Sequence, residues 1–174
     1  MMIKERAIRI GRAEAFISVS IGLLIAQLMM MQLSWNRGPV GALLWFTHVD
    51  YQINLLIAIA AIYLAAYVFG GMAGTCIIIK KWNYLVTGFI FGLLILVSAT
   101  FLASWTAFFQ EGLDELHREG TPFYDYIFKP LLWVTVTGFL PALIVGFWFG
   151  YRIYKKGKKI QSVASPRGGS AEAT

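Results

Sequence analysis

Six residues carry the side chains with which this chain could do chemistry. His48 and Asp50 stand two apart in one connection, and Glu111, Asp114, Glu115 and His117 stand together in another. Two imidazoles and four carboxylates on one membrane face could supply nitrogen and oxygen ligands to a divalent metal, or an acid–base pair. Glu111, Asp114, Glu115 and Arg118 recur at intervals of three and four, which places them on neighbouring positions of a helix. None of these spacings forms a ligand motif such as HExxH. The competing reading is a solvated acidic helix end with a headgroup-facing histidine.

Other chemistries lack their residues. Cys76 is the single cysteine, so a disulfide framework and a CxxC redox or zinc motif are both excluded. Both histidines fall in connections, whereas a bis-histidine haem inside a bundle needs them at membrane depth. No cofactor is therefore expected, and Met29, Met30 and Met31 read as packing or lipid-facing residues. No ionisable residue lies near the middle of an apolar run, which argues against a proton path through a buried carboxylate. Glu14, at the edge of the first run, is expected to be satisfied by Arg12 or by a lipid amine.

The elements that must position these residues follow from composition. Hydrophobic residues are 58% of the chain and charged residues 14%, with mean hydropathy +0.66; a soluble domain carries about a quarter charged residues. With roughly 20 residues per span, 174 residues hold four or five spans and no separate soluble domain. The fold class expected is an all-α membrane protein with four transmembrane helices, at about 15–33, 53–74, 84–109 and 130–151. Residues 1–14 read as a charged cytoplasmic lead-in, and the first run as an uncleaved helix because no small-x-small cleavage pattern ends it. Between the first two spans, Trp35 to Pro39 mark a turn, and the apolar stretch 40–46 is too short to cross a bilayer and suits a shallow helix or re-entrant turn. Pro141 should bend the fourth span. Residues 152–174 read as a basic, disordered tail.

Charge sets the expected orientation. Twelve of the fifteen Lys and Arg residues fall before the first span, at Lys80 and Lys81, or after the fourth span; only Arg37, Arg118 and Lys129 lie on the opposite side. The positive-inside rule then puts both termini in the cytoplasm, as two successive helical hairpins. The membrane expected is a bacterial inner or plasma membrane, a choice that charge alone does not make. The formal charge of +6 is topogenic rather than a nucleic-acid footprint, since no basic surface is interleaved with aromatics. Arg152, Lys155, Lys156, Lys158 and Lys159 are candidates for lipid or partner contact.

One pattern occurs twice: Gly88-Phe89-Ile90-Phe91-Gly92 and Gly146-Phe147-Trp148-Phe149-Gly150. Glycines four apart share a helix face and let backbones approach closely. With Gly70 and Gly74 of the second span they predict one close-packed helix contact in the cytoplasmic half. Ser98, Thr100, Ser104, Thr135 and Thr137 read as helix glue. The function these features favour is a membrane subunit or accessory protein, without chemistry of its own, that packs within a larger assembly. Its partners would be the bilayer and other subunits or copies of itself. The alternatives are a homo-oligomeric small-solute transporter or channel, and a membrane enzyme or metal site built on the His and acid cluster.

Overall fold

A computed structural model describes residues 2–48, 52–112 and 121–164. Among them every regular element is helical. Helix α1 spans Met2–Leu33, the short α2 Gly38–Leu43, α3 Gln52–Ile78, α4 Tyr84–Ala107 and α5 Lys129–Ala164. Single 3-10 turns at Trp35–Arg37 and Trp45–His48 flank α2, and wide π turns at Phe108–Gly112 and Tyr124–Phe128 stand at the end of α4 and the start of α5. Four helices are long and apolar enough to cross a membrane.

Two helices extend beyond the apolar spans. The charged residues of the lead-in are the first turns of α1, a single helix of 32 residues. Its length of about 48 Å exceeds a hydrocarbon core of about 30 Å, so a charged end can project beyond it. Helix α5 does not stop at Tyr151. It continues through Arg152, Lys156 and Gly157 to Ala164, because the basic residues there are held by other helices, as described below. The short apolar stretch after α1 includes a short helix, α2, tied to α1 by Gln27 Nε2 donating to Leu43 O at 2.9 Å.

The four long helices pack as antiparallel neighbours in the order α1, α3, α4, α5, and α5 returns to α1. The closest packing is made by two pairs, α4 with α5 and α1 with α3. The largest fully buried side chains, Phe149, Ile153 and Glu14, all lie at the end that carries Lys80, Lys81 and Arg152, hereafter the basic end. In lipid no hydrophobic force draws helices together, so this closeness depends on small residues and van der Waals contact. Some hydroxyls serve their own helix: Thr100 and Thr137 donate to Leu96 O at 2.9 Å and Trp133 O at 2.7 Å, and Thr106 has Ala103 O at 2.7 Å with Asn54 Oδ1 of α3 at 3.2 Å. Ser20 Oγ and Tyr63 OH do join two helices, α1 and α3, at 2.9 Å.

Helix α4 begins at a conventional cap. Asn83 Oδ1 accepts from the backbone N–H groups of Leu85 (3.0 Å) and Val86 (3.4 Å), two donors that have no partner within the helix. Asn83→Ala should lower stability by about 1 kcal/mol, read as a shift in the denaturant midpoint in micelles; Asn83→Ser should retain most of it.

Candidate functional site

Three features of the bundle have the makings of a site: a buried ion cluster, a pair of glycine seams, and a cleft. The ion cluster joins the first and last helices. Glu14 is completely buried, and Arg152 Nε donates to its Oε2 at 2.7 Å while Arg152 Nη2 approaches its Oε1 at 3.4 Å. Lys156 Nζ pairs with the same Oε1. Arg152 and Lys156 are one helical turn apart on α5, so one carboxylate receives both cations. The expectation that Arg12 satisfies Glu14 is therefore wrong. Arg12 turns to α3, where its Nε donates to Tyr67 O at 3.3 Å and its guanidinium lies 3.7 Å above the Tyr67 ring. The cations at the start of the supposed tail are thus structural: they hold α5 to α1 and keep the helix going.

The glycines divide into two seams rather than one. In the first, a Cβ on Gly88 would strike Gly146 O and come within 2.7 Å of Gly150 Cα, and one on Gly150 would strike Tyr84 O. Gly92 and Gly146 continue this α4–α5 seam with more room, since a Cβ on Gly92 would stand 3.3 Å from Gly146 Cα. Gly70 and Gly74 belong elsewhere. They face Gly11, Ala7 and Ala15 on α1: a Cβ on Gly74 would meet Ala7 O and stand 3.0 Å from Gly11 Cα. The ladder Ala7-x3-Gly11-x3-Ala15 was legible as small residues at intervals of four, but it was obscured by the charges interleaved with it.

Beyond the ion cluster α1 and α5 are separated by a half-open, almost wholly apolar cleft of about 500 Å³. Its α1 wall runs from Ala15 to Leu33 and its α5 wall from Phe149 back to Val134, over a floor that includes Ile95 and Leu96 of α4. Ser18, Gly22 and Ala26 line the α1 wall at intervals of four. They continue the small-residue stripe of Ala7, Gly11 and Ala15. At about 100° per residue step, that stripe drifts by about 100° around the helix between Ala7 and Ala26. Its lower half meets α3 and its upper half faces the cleft. A Cβ on Gly22 would have nothing within 4 Å. Ser18 is 95% buried, yet its Oγ has no hydrogen-bond partner among the described residues, a condition that costs about 1–3 kcal/mol.

The His and acid cluster lies almost wholly outside this description. Asp50, Asp114, Glu115 and His117 are outside the described residues, and only the backbone turns that carry His48 and Glu111 are within them. Among the described residues no group of three or more His, Cys, Asp or Glu side chains is placed to hold a metal. Lys155, Lys158 and Lys159 line the exposed side of α5 at the basic end.

Fold and cleft together define a class: a helical bundle with four helices able to cross a membrane, tight at one end and open along one flank at the other. The chain matches no protein-family model, and no curated protein or solved structure is significantly similar to it.

Proposed function

We propose that this protein is a multi-pass membrane subunit, without chemistry of its own, whose α1–α5 cleft receives a transmembrane helix of another chain. The observation that carries the reading is the open stretch of the small-residue ladder on the α1 wall: a Cβ on Gly22 would have nothing within 4 Å, and Gly22 and Ala26 line the apolar cleft four residues apart. Small residues at intervals of four are a means by which transmembrane helices associate. The occupant is a helix with small residues of its own facing Gly22 and Ala26.

A second copy fits the cleft poorly. The cleft is recessed, so it takes a helix that stands alone, and each long helix of this chain is flanked by two others. A solute path is disfavoured by the lining, whose polar side chains are Ser18 and Thr137 alone, and by the closure of the basic end around Glu14 and Phe149. In this reading the basic end is cytoplasmic.

Gly22 tests the idea by its two substitutions. Gly22→Ala adds a methyl to open space and should stabilise the isolated chain by about 0.5–1 kcal/mol through helix propensity. Gly22→Leu projects into the cleft and should leave the fold intact while releasing the partner, seen by native mass spectrometry as loss of the bound chain from the 19.5 kDa subunit. Retention of the partner by Gly22→Leu would refute the cleft as its seat.

A further inference from the structure

The end of α3 builds a second cavity, on the opposite side of α5 from the ion cluster's partner helix. The last turn of α3 opens out: Lys80 N–H donates to Thr75 O at 3.2 Å and Trp82 N–H to Cys76 O at 3.1 Å. Lys81 carries the turn with φ of 53°, a left-handed conformation that costs a side chain-bearing residue about 1–2 kcal/mol. The turn stands Lys81, Trp82 and Asn83 along one rim. The opposite rim is the basic extension of α5, which approaches closely at Gly157, where a Cβ would stand 2.9 Å from Ile78 Cγ1. Tyr154 and Lys158 come from that side, and the half-open cavity between has a volume of about 360 Å³.

We propose that this cavity binds a phosphate-bearing group, held between Lys81 and Lys158. Neither ammonium has a carboxylate within ion-pair distance among the described residues, and Lys158 Nζ lies 5.4 Å from the Tyr154 ring centre, above its face. Of the two described acids at this end of the bundle, Glu14 is already matched by two cations and Glu5, in the first turn of α1, pairs with neither lysine. The remaining groups are donors suited to a multivalent anion. The Trp82 indole N–H donates only, and Asn83 has its oxygen committed to the α4 cap, which leaves its amide nitrogen as a donor. Lysines serve phosphate as point charges. Ile77 and Ile78 form an apolar floor that suits the carbon skeleton of an ester. Depth agrees as well, since the cavity sits where the apolar stretch of α3 ends at Ile78 and that of α4 begins at Tyr84, the level of lipid headgroups. A volume of this size falls within the range of small-molecule sites, about 300–1,000 Å³.

A phosphate at this position can come from an anionic phospholipid or from a soluble phosphate ester, and one experiment separates them. The purified full chain, in a maltoside detergent that carries no phosphate, is titrated with phosphatidylglycerol in one arm and glycerol 3-phosphate in the other, with bound ligand counted by native mass spectrometry. Saturable one-to-one binding is expected in at least one arm, and the arm that binds identifies the source. Lys81→Gln with Lys158→Gln should weaken it about thirtyfold. Lys4→Gln with Lys155→Gln removes the same charge at the same end but outside the cavity, and should weaken it by less than about threefold. Trp82→Phe, which keeps the ring and removes the donor, should weaken it about tenfold and serves if the lysine variant fails to fold. Equal weakening by the two lysine pairs together with no effect of Trp82→Phe, or saturable binding in neither arm, would overturn the proposal.

Discussion

Replacing Arg152 and Lys156 together by leucine is expected to destabilise the bundle by about 3–5 kcal/mol, more than the loss of Glu14 itself. The asymmetry follows from burial. Glu14 has no exposed surface, whereas the side chains of Arg152 and Lys156 are 35% and 47% exposed. Stripping both cations leaves a charge sealed among helices with nothing to compensate it, the costly way to break a buried pair. Removing the acid instead, as Glu14→Leu, leaves two cations that can swing toward water or headgroups, and the loss should be about 1–2 kcal/mol. The triple variant, with all three residues leucine, should recover most of the stability lost by the double, because a buried ion cluster and a packed apolar one of similar volume are nearly equivalent. Denaturant titration in micelles followed by helix content gives the order directly. A double variant no worse than Glu14→Leu would mean that the carboxylate is reached by water after all.

The second large effect concerns the α4–α5 seam. Gly150→Ala places a methyl on Tyr84 O, and Gly88→Ala places one on Gly146 O and 2.7 Å from Gly150 Cα. Both collide with backbone, which has no rotamer to change. Each should therefore cost about 3 kcal/mol, at the upper end of overpacking penalties. Gly92→Ala meets its first neighbour only at 3.3 Å, and its helix-propensity gain of about 1 kcal/mol should offset most of the crowding. Unfolding midpoints of the three variants should thus separate Gly92 from the other two, although the sequence presents Gly88 and Gly92 as equals. If all three behave alike, the helices are not as close as the glycines require.

That contrast shows where sequence reading reached its limit. The apolar lengths of the four helices are a one-dimensional property, so they were legible, as were the breaks at Lys80 to Asn83 and at Gly38. The glycine spacing disclosed close contacts but not their pairing, because a face at intervals of four says nothing about which helix covers it. Gly70 and Gly74 were accordingly assigned to the wrong neighbours; they meet Gly11 and Ala7. Glu14 was visible as a lone acid at the edge of an apolar run, but its partners lie 138 residues or more along the chain, beyond what local spacing conveys. The same long-range pair explains why α5 outlasts its apolar stretch: Lys156 is needed at Glu14, so the helix must reach it. Gly22 and Ala26 gain their meaning only from the cleft they line, which no local spacing conveys.

Two roles of the basic residues on α5 are now separable. Arg152 and Lys156 face inward to Glu14, while Lys158 lines the cavity against Lys81. A run that reads as a single patch of positive charge therefore does at least two jobs, set by helical phase.

If the α1–α5 cleft is a seat for another chain, a crosslinker placed in it will reach that chain. A photo-crosslinking residue at Leu23 or Met30, both in the cleft, and a control at Leu64, 61% exposed on α3, would decide it in the native membrane. One discrete polypeptide adduct is expected from the cleft positions and none from Leu64, with the crosslinked peptide an apolar segment bearing small residues four apart. Adducts to lipid alone, or an adduct of twice the chain's mass, would contradict it.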